Sequence, residues 1–93
     1  MSTPELVFMK QLVDNAEFAN EKGVLNVLKL FKHEDPGVRN GTSFAAGAFD
    51  TLQKLIDLRP ELFTANIRTE LKTLSQDSDE RVSSAASVAL ARL

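Results

Sequence analysis

His33 is the sole histidine in the 93-residue chain, and it stands beside Glu34 and Asp35. An imidazole among carboxylates is the raw material of acid–base catalysis or of a metal site. A zinc-type site needs several His or Cys ligands, and the chain has one His and no Cys. The lack of Cys also removes disulfides, thiolate ligands and thiol nucleophiles. No nucleophile-elbow motif presents a serine to the imidazole. His33 therefore reads as a solvated turn residue. The 13 carboxylates are spread over turns and helix faces, where capping and solvation account for them. Asp77-Ser78-Asp79-Glu80 opens like a calcium loop but lacks the glycine and the distal glutamate. Gly37, Gly41 and Gly47 do not make a G-x-G-x-x-G phosphate cradle behind a strand. The expectation is a non-enzyme with no metal and no cofactor.

Charge and aromatic content bear on partners. Eleven basic residues against 13 acidic ones give a net charge of −2, which is not the footprint of a phosphate-binding surface. There is no Tyr or Trp, and the six Phe fall mostly at inward helical positions, so platforms for base stacking are lacking. Nucleic acid is disfavoured. No window nears the ~18 unbroken apolar residues of a membrane span, and the N-terminal residues lack a leader's charged and apolar regions. At 43% apolar residues the composition suits a globular protein. These readings predict one cytoplasmic domain with no membrane association.

The elements that position these residues are helical throughout, by the recurrence of apolar residues three and four apart. A first helix is expected from Pro4, capped by Ser2 or Thr3, with Leu6, Met9, Val13 and Ala16 inward and a bend near 14–20. A second runs over about 21–32 on Val24, Val27, Leu28 and Phe31. Asp35 caps a third over 36–58, with Val38, Ala45, Phe49, Leu52 and Ile56 in the core. Its centre holds Gly41, Gly47 and three alanines. Two glycines there cost roughly 1 kcal/mol each against Ala, which close approach of a neighbouring helix would offset. Pro60 opens a fourth helix on Leu62, Phe63, Ile67, Leu71 and Leu74. A fifth covers 79–92, with Val82, Ala85, Ala86, Ala89, Leu90 and Leu93 inward. A plain helical bundle would show the same stripes.

A repeat separates the two architectures. Shifted by 44 residues, Val27 falls on Leu71, Leu30 on Leu74, Asp35 on Asp79, Val38 on Val82, Gly41 on Ala85 and Ala45 on Ala89. The same shift lays Phe8 on Leu52, Leu12 on Ile56 and Phe18 on Leu62. The chain thus reads as a partial unit, 1–20, and two repeats, 21–58 and 60–93. A two-helix period in the forties is that of HEAT and armadillo arrays. Asp35-Pro36-Gly37-Val38-Arg39, followed by Phe44-Ala45-Ala46 and Leu52, resembles the HEAT pattern. Asp79-Glu80-Arg81-Val82, followed by Ala85-Ala86 and Ala89-Leu90, resembles it again. The stretch Asn15 to Leu25, with Gly23 before the second helix, is also similar to armadillo repeats. The resemblance implies an all-α fold: a short right-handed α-α superhelix of about five helices. In HEAT families this Asp and Arg often bridge successive units. Here Ser83 takes the place of a second Arg, which puts a continued ladder in doubt.

The resemblance further implies a protein–protein interaction module whose concave face is lined by the third and fifth helices. The third-helix residues off the core stripe are Arg39, Asn40, Ser43, Gly47, Asp50 and Lys54, and the fifth contributes Ser83, Ser84, Ser87 and Ala91. The partner-binding set is thus expected to be Arg39, Asn40, Ser43, Asp50, Lys54, Ser83, Ser84 and Ser87. Their small polar surface would admit an extended segment or a helix of another protein. Leu90 and Leu93 end the sequence in helical register with no polar cap. A self-associating subunit, or a fragment of a longer solenoid, is the alternative. A catalytic or nucleic-acid-binding helical-repeat protein is the third.

Overall fold

The computed structural model describes residues 3–93, and all regular structure among them is helical, with no strand. Helices start where the sequence supplies an oxygen for the free backbone N–H groups of a first turn. The Asn20 side chain accepts from the Gly23 amide at 3.0 Å and opens α2, Glu21–Leu30. Asp35 accepts from Gly37 at 2.8 Å and opens α3, Pro36–Asn40, with Pro36 in the first turn. Thr64 accepts from Ile67 and opens α5, Ala65–Leu74. Asp79 accepts from Arg81 at 2.9 Å and opens α6, Glu80–Arg92. The remaining two helices are α1, Thr3–Asp14, and α4, Ala48–Leu58. Single 3-10 turns at Ala16–Phe18 and Pro60–Leu62 follow them. The expected cap Ser2 lies outside the described residues.

These elements recur at the offset found in the sequence. The bounds of α2 and α5, of the two 3-10 turns, and of the starts of α3 and α6 each differ by 44. The caps obey the same shift, Asn20 with Thr64 and Asp35 with Asp79. So does a smaller detail. The Asp35 amide donates to His33 Nδ1 at 3.0 Å, and the Asp79 amide donates to Asp77 Oδ1 at 2.9 Å.

Packing joins α4 to α1, α2, α3 and α6, while α5 packs on α2 and α6. Helices α1, α4 and α6 thus form one row, and α2 and α5 a second row against it. The core lies between the rows. Met9, Val24, Val27, Phe31, Val38, Leu52, Leu55, Ile67, Leu71 and Val82 are buried there. The ring of Phe31 meets Phe49 edge-on, with centroids 4.9 Å apart.

The third helix departs from expectation. Instead of one helix over 36–58 there are two, so the described residues hold six α-helices rather than about five. The break at 41–47 has a local cause. Gly41 lies at φ 88° and ψ 178°, a region open in practice only to glycine. The Thr42 amide then donates to the Ala45 carbonyl at 2.8 Å, and Thr42 Oγ1 accepts from the amides of Phe44 and Ala45. The two glycines face each other, not a neighbouring helix: a Cβ on Gly47 would strike the Gly41 nitrogen and lie 2.7 Å from the Arg39 carbonyl oxygen. Pro60 also departs from expectation, because it opens a 3-10 turn and the helix beyond starts only after Thr64. Leu62 in that turn is half-buried, and Phe63 is the core residue.

Candidate functional site

Broken at 41–47, the third helix no longer offers one continuous face. Arg39 and Asn40 lie on α3, Ser43 in the loop, Asp50 and Lys54 on α4, and Ser83, Ser84 and Ser87 on α6. Asn40, Ser43, Asp50, Lys54, Ser84 and Ser87 are exposed, and Ser83 is half-buried. Arg39 is drawn inward, its side chain 18% exposed. Its Nη1 stands 3.5 Å from Asp79 Oδ2, so it ties α3 to the cap of α6. Its Nε is buried without a hydrogen-bond partner among the described residues. Arg39 is therefore a poor reporter of partner binding, since changing it also disturbs that contact.

Two further arginines make longer ties. Arg59 donates from Nη1 to the Ala16 carbonyl at 2.6 Å, pinning the end of α4 to the first 3-10 turn. Arg92 reaches Gln53 and Asp57, pinning α6 to α4. Both contacts span some forty positions of sequence, where helical periodicity carries no signal.

A cleft of about 180 Å³ lies between α1 and α4. Met9 and Thr51 are buried at its floor, and Val13, Ala45 and Ala46 line its walls. Lys10, Asp14 and Lys54 stand around it, with Lys10 and Asp14 paired at 2.7 Å. Phe44 lies at the rim and is 98% exposed. This phenylalanine is held out by the Gly41–Gly47 loop, and an inward reading of the Phe residues misses it. The signal was its position between two glycines and beside Thr42 and Ser43, a turn-forming composition.

Several ionisable groups are engaged as caps and ties. His33 is not a freely solvated turn residue. Its Nε2 stands 2.9 Å from Glu5 Oε2, and its Nδ1 accepts from the Asp35 amide, so it links α1 to the cap of α3. Neutral imidazole protonated on Nε2 satisfies both contacts. Glu21 accepts from Asn66, and Arg59 pairs with Glu61. Among the described residues no three His, Cys, Asp or Glu side chains are grouped to hold a metal ion. None of the helices is long and apolar enough to cross a membrane.

Lys32 Nζ and Asp77 Oδ2 pair at 2.8 Å, joining the segment after α2 to the turn before α6. The hydrogen bond from Lys32, then that from the Asp79 amide, hold the Asp77 carboxyl below its ordinary range. The bond to Asp77 raises Lys32. Because folding lowers the Asp77 value, its stabilisation is present above an unfolded value of ~3.9 and lost as pH falls through the folded one. Lys32 behaves in the opposite sense: its stabilisation is present below ~10.4 and lost as pH rises through the folded value. Asp77→Asn is expected to be less stable than wild type at pH 7, with the difference shrinking as pH falls through the lowered Asp77 value. Urea midpoints from pH 2 to 7 check this. A difference constant over the whole range would show that the carboxylate's charge is not involved.

Compared with protein-family models, curated proteins and solved structures, the chain has no significant match.

Proposed function

We propose that the chain is a non-catalytic, cytoplasmic protein-binding module of the HEAT/armadillo type, and that it holds a segment of another protein along the row α1–α4–α6. The 44-residue recurrence of helices and caps supports the repeat reading. The single observation that carries the binding reading is Phe44: a large apolar side chain, almost wholly exposed on a closed loop, beside a cleft floored by Met9 and Thr51. Single exposed apolar residues are common. A ring carried at the mouth of a cleft is the arrangement of an aromatic anchor, and aromatic side chains dominate interface energetics. The partner segment would lie between Phe44 and the cleft, with Lys54 and Asp50 beside it and Ser84 and Ser87 continuing the surface on α6.

Phe44→Ser is expected to weaken partner binding tenfold or more, and Lys54→Glu several-fold, with the thermal melt unchanged. Affinity capture with wild type, these two variants and Phe18→Ser as a control identifies the proteins whose retention depends on the cleft. Retention by Phe44→Ser equal to that by wild type would sink the assignment of this face. Light scattering over a range of concentrations tests the rival reading, in which copies stack through the C-terminal end.

A further inference from the structure

The repeat makes α1 the counterpart of α4, and the two are not equally covered. On α4 the stripe Thr51, Leu52, Leu55 and Ile56 is buried against its neighbours, α2 among them. Its counterparts on α1 are Val7, Phe8, Gln11 and Leu12. Of these, Val7 is 47% exposed, Gln11 is exposed, and Phe8 and Leu12 are half-buried. Leu62 packs on the core, whereas its counterpart Phe18 is 80% exposed. Among the described residues, none forms a helix placed on α1 as α2 is placed on α4.

The flank of α2 points the same way. In the groove between α2 and α5, of about 490 Å³, α5 presents Glu70, Thr73 and Leu74. Their counterparts on α2 are Asn26, Lys29 and Leu30, and these line an open groove of about 350 Å³ together with Phe8. A second hollow of about 270 Å³ adjoins it along Phe8, Leu12 and Phe18. The side of α5 that faces α2 is thus repeated on α2, where it borders an open groove among the described residues.

We infer that this face is a docking site for one amphipathic helix of a partner protein, seated beside α2 and across α1 and thereby continuing the α2–α5 row. The chemistry of that helix follows from the equivalent interface. Asn66 of α5 donates to Glu21 of α2 at 2.8 Å, and the counterpart of Asn66 is Lys22. An incoming helix therefore needs a carboxylate in its first turn, opposite Lys22. Phe31 of α2 meets Phe49, whose counterpart is Glu5. The incoming helix therefore needs a basic residue near its C-terminus, where Glu5 retains lone pairs beyond its contact with His33. A Val/Leu stripe between the two would cover Phe8 and Leu12. Acid first and base last also agrees with the helix dipole.

The face is distinct from the cleft at Phe44, so either assignment can fail alone. The probe is a synthetic peptide copying residues 20–32 of this chain with Phe31→Lys, side-chain stapled because an isolated helix of that length is marginal in water. Titrated into the full chain and followed by amide NMR, it is expected to shift Val7, Phe8, Leu12, Asn26 and Leu30 saturably. Lys22→Glu in the protein should weaken it about fivefold, and a Glu21→Lys peptide should restore binding to that variant. Phe18→Ser should weaken it, and Phe44→Ser should not. Shifts confined to the Phe44 cleft, no saturable shift, or no effect of Lys22→Glu would overturn the proposal. So would concentration-dependent broadening of these amides without peptide, which would give the face to a second copy of the chain.

Discussion

Gly47→Ala is expected to cost about 3 kcal/mol or more, within the range of steric and backbone effects that dominate severe single substitutions. The new methyl would strike the Gly41 nitrogen and crowd the Arg39 carbonyl oxygen and the Asn40 carbonyl carbon, both at 2.7 Å. All three are backbone atoms, so no side chain can rotate away. Relief requires opening the loop that returns the chain from α3 to α4, and α4 is the helix against which α1, α2 and α6 pack. A domain of 93 residues has a total stability of roughly 5–14 kcal/mol. The loss is therefore a large share of the whole, and a fall in Tm of about 12–24 °C is expected. Gly23 supplies the contrast. A Cβ there meets only the end of the Leu12 side chain, at 3.0 Å, so Gly23→Ala should change stability by less than about 1 kcal/mol. Thermal and urea unfolding of both variants decide the matter. A Gly47→Ala protein within 0.5 kcal/mol of wild type, on the same ~1 kcal/mol scale of ordinary effects, would mean that the loop is not closed as described.

The break at these glycines shows what the sequence could disclose and what it could not. Val38, Ala45, Phe49 and Leu52 keep a helical spacing straight through 41–47, and periodicity reports only which residues turn inward. The chain contains its own control. At the shifted positions of Gly41 and Gly47 stand Ala85 and Ala91, and α6 runs through them without interruption. Setting the two copies side by side for their differences, rather than their likeness, would have marked the loop and put Phe44 on its outside. The cap at Asp35 was legible because capping is a local bond between residues two or three apart. The ties made by Arg59 and Arg92 were not, since each depends on how separate helices meet. The same distinction divides the expected partner-binding set. Asp50, Lys54, Ser84 and Ser87 stay on exposed helix surface. Ser43 moves into the loop and Arg39 into a contact with the cap of α6.

Phe31→Ala should destabilise the chain by about 3–5 kcal/mol, the usual cost of removing a buried phenylalanine ring. Phe31 closes α2 with no exposed surface, and its ring stands edge-on to Phe49 of α4 at an interplanar angle of 86°. Truncation leaves a void between the two rows, and relaxation into it is resisted from both sides, because α4 is held by α1 and α6 while α2 is held by α5. Aromatic pairs in this geometry contribute ~0.5–1.5 kcal/mol beyond the area they bury. A double-mutant cycle with Phe49→Ala should therefore show coupling of about 1 kcal/mol. Coupling near zero would mean that the two rings only fill space independently. Phe44, at 98% exposure, covers nothing within the chain, and Phe44→Ala should stay within about 0.5 kcal/mol of wild type. Equal losses for Phe31→Ala and Phe44→Ala would place Phe44 in the core and remove the anchor from the proposed binding face. A large loss for the first and almost none for the second would leave Phe44 available to a partner.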